Sequence, residues 1–249
     1  MRLLREGPGF VATSVGRFLF PPVCPGCRAA IDQAHAVCAG CWSGLKFIER
    51  PYCEVLGLPF AYDLGRGFLS AEAIAEPPPF ARLRAAVLYE DLAARLVASL
   101  KYSDRTDLVP LMAGWMSRAG SELLAEADAV IPVPLHQRRL WRRRFNQSAE
   151  LARQIARGRQ LPYLPGVLTR TKATRSQVGL GRQEREDNVR GAFKVAEDRR
   201  RQIAGKRIVL VDDVFTTGAT VASATRALRR SGASEVDVLT FARVAAGTS

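Results

Sequence analysis

The chain has 249 residues, 47% of them hydrophobic, which predicts a globular protein with one large core or two smaller ones. Its 37 lysines and arginines against 24 aspartates and glutamates leave a formal charge of +13, favouring polyanionic ligands such as pyrophosphate, nucleotides or nucleic acid without choosing among them. His35 and His136 are the only histidines, which argues against a serine–histidine–aspartate triad and against a histidine-built metal centre.

Residues 1–22 mix basic residues with an apolar stretch that Gly16, Arg17 and the pair Pro21-Pro22 interrupt. This pattern predicts neither a secretory signal nor a membrane span, and hence a cytoplasmic address. Val11, Val15, Phe18 and Leu19 fit one face of a short helix that packs on the protein or lies on a membrane surface. Cys24-Pro-Gly-Cys27 and Cys38-Ala-Gly-Cys41 then form two Cys-x-x-Cys knuckles with a short loop between them. Each knuckle brings two thiolates to one ion, and four thiolates close a tetrahedral shell with no open position. Cys24, Cys27, Cys38 and Cys41 are therefore expected to hold a structural Zn²⁺. A disulfide pair is the alternative and needs an oxidising compartment. The stretch from Cys53 to Pro59 looks like a third knuckle with Leu56 in place of its second cysteine; Cys53 reads as a small buried hydrophobe in preference to a ligand. Periodicity is lost from Phe60 to Phe80, ending in Pro77-Pro78-Pro79. This suggests a helix and zinc ribbon over residues 1–60, a linker over 61–80 and a larger unit over 81–249. No internal repeat or low-complexity tract is visible.

Ala85 to Tyr89 is a candidate first strand, and Leu92, Leu96 and Leu100 recur at helical spacing before Lys101. Lys101 is either a hydrated point charge near a phosphate or a solvated helix-end lysine. Leu108 to Leu124 continues as a helical stretch with core positions at Leu111, Met112 and Trp115. Ala129-Val130-Ile131 is a short strand interrupted by Pro132-Val133-Pro134-Leu135-His136. Arg138, Arg139, Arg142, Arg143 and Arg144 follow, leading to Phe145-Asn146-Gln147. From Thr169 to Phe193 basic and polar residues dominate without an apolar period, as in a long exposed loop or hairpin over a pocket. Such a segment is a lid or a solvated charge run. Ser234 to Val244 alternates as a last strand would.

The most informative stretch runs from Ile208 to Thr220. Ile208-Val209-Leu210-Val211 is apolar at every position, as a parallel strand covered on both faces would be. Asp212 and Asp213 follow, then Thr216-Thr217-Gly218-Ala219-Thr220, and past Gly218 the residues Val221, Ala224 and Leu228 share one helical face, with Gly232 as the stop. A strand–loop–helix of this kind offers free amides at a positive helix end, hydroxyls from Thr216, Thr217 and Thr220, and close backbone approach at Gly218, so it can hold a phosphate. It has neither a P-loop lysine nor a G-x-G-x-x-G run. Paired carboxylates cannot hold phosphate, but they accept hydrogen bonds from vicinal sugar hydroxyls and lie near a divalent cation, so a ribose 5'-phosphate is the natural guest. The remaining alternative is an Asp-rich turn that only caps a helix.

This stretch resembles the phosphoribosyl-pyrophosphate (PRPP) loop of type I phosphoribosyltransferases, and the Pro-Val-Pro-Leu-His and Phe-Asn-Gln-x-x-x-Leu-Ala elements of residues 132–152 resemble the ComF/GntX competence-protein family. Residues 177–193 resemble the same family's Gln-x-x-Leu-x-x-x-x-Arg-x-x-Asn-Val-x-x-Ala-Phe loop. The resemblance implies a zinc ribbon followed by an α/β domain with a parallel sheet, helices on both faces and a ligand crevice at the strand C-termini. It implies PRPP and Mg²⁺ as ligands and Asp212 and Asp213 as catalytic. Val133, Lys101, Thr216, Thr217, Gly218, Ala219, Thr220, Arg182 and Arg185 would bind substrate, with the amides near Val133 and the two lid arginines toward pyrophosphate. Arg144 holds a slot where that family often has glycine. Two functional classes are carried forward: a phosphoribosyl transfer enzyme, and a non-catalytic factor that senses PRPP and holds single-stranded DNA on its arginines, with Trp141 and Phe145 interleaved.

Overall fold

The computed structural model describes residues 21–63, 65, 67–137, 140–141, 145–172 and 182–245, excepting the side chains of residues 182, 183, 185 and 186. The expected N-terminal helix, the arginines at 138, 139 and 142–144, and lid residues 173–181 lie outside the described residues. No described helix is long and apolar enough to cross a membrane.

Four strands form a parallel sheet in the order β1 (Leu83–Leu88), β6 (Glu235–Arg243), β5 (Arg207–Phe215), β2 (Ala129–Pro132). Alternation along β5 builds two cores. Ile208 and Leu210 face one layer, with Val221, Ala224 and Leu228 of α8 (Ala219–Arg230). Val209 and Val211 face the other, formed by α3 (Asp91–Tyr102), α4 (Val109–Ala119) and α6 (Gln147–Arg159). Because β6 lies inside the sheet with both faces covered, it is buried at every position from Val236 to Arg243 and does not alternate as expected. The stretch expected as a single helix from Leu108 to Leu124 is broken at Gly120, where a Cβ would lie 2.7 Å from the Leu239 side chain; α4 ends there and a short α5 (Ser121–Ala125) begins.

The cysteine-rich segment folds as short turns with α1 (Ala39–Ser43) and α2 (Ala71–Ala75). Residues 46–48 run antiparallel beside β1, with Ile48 N donating to Ala86 O at 3.0 Å and Leu88 N to Lys46 O at 2.9 Å. On the far side residues 162–164 run beside β2, with Val130 N donating to Pro162 O at 2.9 Å and Leu164 N to Val130 O at 3.0 Å. The expected linker carries α2, capped by the Ser70 hydroxyl, and it buries Ala73 and Phe80 in the α8-side core. The polar segment after Val167 is a hairpin: β3 (Leu168–Arg170) pairs antiparallel with β4 (Phe193–Val195), and α7 (Arg182–Val189) lies between them in sequence.

Candidate functional site

The C-terminal end of β5 lies between β2 and β6, in the middle of the crevice that open parallel sheets use for ligands. The strand runs through both aspartates to Phe215 and does not stop at Val211, because β6 continues beside it: Asp212 is in register with Thr240 and Phe215 with Arg243. Asp212 is half-buried; its Oδ1 accepts from Ser148 Oγ at 2.8 Å and from the Asp213 amide at 2.9 Å. Asp213 is paired with Lys101 Nζ at 2.8 Å, which brings the last turn of α3 to the site. Burial and the neighbouring Asp213 carboxylate push Asp212 up to about 7, against the pull of Ser148, Lys101 and the Asp213 amide.

Beyond Phe215 the chain turns through Thr216 and Thr217 into Gly218, whose φ of +78° suits glycine. The N-cap residue of the 12-residue α8 is Gly218, which has no side chain to cap its first amides, so that positive end can meet an acceptor. Thr217 Oγ1 is buried with no hydrogen-bond partner among the described residues, an arrangement that a ligand oxygen would satisfy. A Cβ at 218 would stand 2.8 and 2.9 Å from Cζ and Cε2 of Phe215, so the turn packs directly on that ring. Thr216 is exposed, Thr220 half-buried and Ala219 buried. Open amides, an orphan hydroxyl and adjoining carboxylates fit a phosphorylated sugar, and the carboxylate pair is the donor set a hard cation such as Mg²⁺ requires.

The structure thus brings together Asp212, Asp213, Lys101 and the 216–220 turn. The amide of Val133 itself donates to Val211 O at 2.9 Å and belongs to the sheet. Arg182 and Arg185 fall on α7, which is tied to α8 by Ser223 Oγ donating to Val189 O at 2.7 Å; their side chains are outside the described residues. Two positioning residues had no role in the sequence reading. Asn146 caps α6 by accepting from Ser148 N at 3.1 Å and donates from Nδ2 to Val133 O at 3.0 Å, which fixes Ser148 beneath Asp212. An Asn at the start of a helical pattern signals the cap. Ser148 has no such signal, since its partner is 64 residues away.

Arg170, in β3, is buried with its guanidinium 5.3 Å over the Phe193 ring. Trp141 is 89% exposed, whereas Phe145 packs against the core.

The Sγ atoms of Cys24, Cys27, Cys38 and Cys41 all lie within 4.8 Å of one another, with Cys27 and Cys38 3.5 Å apart. Sulfurs at about 2.3 Å from a tetrahedral zinc are about 3.8 Å apart, so the four thiols fit a structural Zn²⁺. The Cys38 amide donates to Cys24 Sγ at 3.4 Å, the kind of outer contact that supports a thiolate ligand.

Residues 15–73 match the double zinc ribbon domain family and residues 147–249 the phosphoribosyl transferase domain family. DNA utilization protein YhgH of Shigella flexneri is 31% identical over 229 residues, which cover 90% of this chain and 97% of that protein. Competence protein F of Haemophilus influenzae is 30% identical over 226 residues, covering 88% and 96% respectively. Orotate phosphoribosyltransferase of a Nocardioides strain is 52% identical over 52 residues, 21% of this chain and 27% of the relative. The first two relatives span both the cysteine segment and the sheet domain, and the chain belongs to the ComF/GntX competence-protein family, a zinc ribbon joined to a phosphoribosyltransferase domain.

Proposed function

We propose that the crevice at the end of β5 binds PRPP with Mg²⁺ and transfers its phosphoribosyl group to an acceptor, releasing pyrophosphate. The observation that carries this reading is the uncapped α8 terminus, with its orphan Thr217 hydroxyl, directly beside the Asp212–Asp213 pair. In this reading the amides and hydroxyls of residues 216–220 hold the 5'-phosphate. Asp212 and Asp213 accept hydrogen bonds from the two ribose hydroxyls and orient the sugar. Lys101, already at Asp213, presents an ammonium to the departing pyrophosphate, and Arg182 and Arg185 add charge from α7. Bound Mg²⁺ supplies further neutralisation of the pyrophosphate. The anomeric C–O bond breaks as the acceptor's bond to that carbon forms, and no protein nucleophile is needed; catalysis rests on positioning and electrostatics. Calorimetric titration of PRPP with Mg²⁺ tests the site: the wild type should bind and the Asp212→Asn, Asp213→Asn double variant should lose most affinity while keeping its fold. Equal affinity would remove the reading. Pyrophosphate release across a panel of bases and amines then tests turnover.

A second reading keeps the pocket as a PRPP sensor in a protein that handles single-stranded DNA. It is favoured by the names of the relatives, which refer to DNA utilization and competence, and by the exposed Trp141 within the 138–144 arginine run. Binding of an oligonucleotide that weakens steeply with salt would support it; PRPP binding with no pyrophosphate release for any acceptor would favour it over transfer.

A further inference from the structure

The segment after the zinc knuckles repeats their backbone, well beyond the knuckle-like stretch from Cys53 to Pro59 that the sequence shows. In the first unit Val23 bridges Ala30, Cys24 N donates to Ala29 O, Arg28 N donates to Cys24 O, and Arg28 has a φ of +65°. In the second unit Tyr52 bridges Pro59, Cys53 N donates to Leu58 O, Gly57 N donates to Cys53 O, and Gly57 has a φ of +59°. The second halves agree as well. Cys38 N donates to Cys24 Sγ at 3.4 Å and Cys38 is the N-cap residue of the five-residue α1; Ser70 N donates to Cys53 Sγ at 3.2 Å and Ser70 is the N-cap residue of the five-residue α2. Position by position, Cys24, Cys27, Cys38 and Cys41 correspond to Cys53, Leu56, Ser70 and Ala73.

We infer that residues 52–75 are a second zinc ribbon that has lost its metal, its former metal core being filled by Leu56 and Ala73 and docked into the sheet domain. A double ribbon implies two ions, but the side chains at three of the four second positions cannot act as thiolate ligands. Among the described residues no group of potential ligands gathers at Cys53. Cys53, Leu56 and Ala73 are instead nearly solvent-free in the same core as Phe80 and Leu83. Backbone ties replace the ion's cross-link. Leu83 N donates to Val55 O at 2.7 Å, Arg84 Nη1 donates to Glu54 O at 2.9 Å, and the buried guanidinium of Arg243 donates to Leu56 O. The first unit lacks such burial, since Cys27 is exposed and Cys38 and Cys41 are half-buried, so there the cross-link has to come from the metal.

The purified full chain should contain one zinc per chain, released after four thiols react with an organomercurial. Cys53→Ala should leave both numbers unchanged. Restoring the ligands with Leu56→Cys, Ser70→Cys and Ala73→Cys should raise the content from one zinc to two and double the thiolate-to-metal absorption after cobalt substitution. Two zincs in the wild type, or one that is lost in Cys53→Ala, would overturn the inference. So would a triple variant that keeps its circular dichroism and melting behaviour yet still binds one ion. If the triple variant fails to fold, the wild-type and Cys53→Ala stoichiometries decide alone.

Discussion

Replacing Gly218 by alanine perturbs the phosphate turn at one atom, and the structure fixes the cost. The backbone there has a φ of +78°, where an L-residue loses about 1–2 kcal/mol relative to glycine. The added Cβ would meet the Phe215 ring at 2.8 and 2.9 Å. Phe215 is in turn held edge-on by Phe80 at 6.3 Å and lies under the Arg243 guanidinium at 5.4 Å, so it cannot swing away cheaply. Overpacking of this kind costs about 1–3 kcal/mol. Together the terms give roughly 2–5 kcal/mol, and at about 2–4 °C per kcal/mol for a chain of this size the melting midpoint should fall by about 4–20 °C. Gly166→Ala, which meets nothing within 4 Å, is the control and should not shift it. Calorimetric titration of the same proteins should show PRPP affinity falling in Gly218→Ala beyond any unfolded fraction, because the displaced turn no longer aims its amides at one point. A Gly218→Ala protein with wild-type midpoint and affinity would refute both the strain argument and the assignment of this turn to phosphate.

Thr217→Val removes the orphan hydroxyl without changing shape, so stability should hold or rise slightly while PRPP affinity falls by about 1 kcal/mol; a melt and a titration separate the two. Asp212 has its carboxyl raised from 3.8 to about 7, so the folded protein carries an extra proton between those values. Its contribution to stability is full at the acid end and is lost as pH rises through about 7, whereas a ligand that engages the carboxylate should tighten over the same interval and release a proton; pH-independent affinity would contradict this. Ser148→Ala removes a donor to Asp212 Oδ1 and should move that binding midpoint to higher pH. Trp141→Ala, at a side chain 89% exposed, should leave the melt unchanged and, if this residue stacks on bases, reduce single-stranded DNA affinity by about tenfold.

The strand, turn and helix around Asp212 were legible because each carries a local signal: an apolar run, a threonine–glycine turn and a helical face ending at Gly232. The cysteine cluster was legible from spacing alone, and the cover on both faces of β5 from its unbroken apolar run. The sequence resolved less where partners are distant. Lys101 could be placed at a phosphate or in solvent until its pairing with Asp213 was seen. That the Val133 amide is used within the sheet was not legible, because only the register shows that it donates to Val211. Only the first half of the second ribbon showed in the sequence, as a knuckle with Leu56 in place of a cysteine; its second half was hidden because the hydrogen-bond pattern is independent of the side chains that once identified it, so Ser70 and Ala73 read as linker.

The antiparallel run of residues 46–48 along β1 has a consequence for how the sheet domain would behave alone. A bare outer strand is a template for another chain, and here both outer strands have neighbours, one from the cysteine segment and one from residues 162–164. Cutting the chain near residue 80 would uncover β1, together with the adjoining core face that Leu56 and Ala73 cover, but leave β2 shielded. A protein with a single sticky edge cannot grow into fibres; two copies can only pair edge to edge about a twofold axis, and the association then closes. The excised domain should therefore sediment as a dimer whose formation depends on concentration, while the full chain keeps that edge to itself.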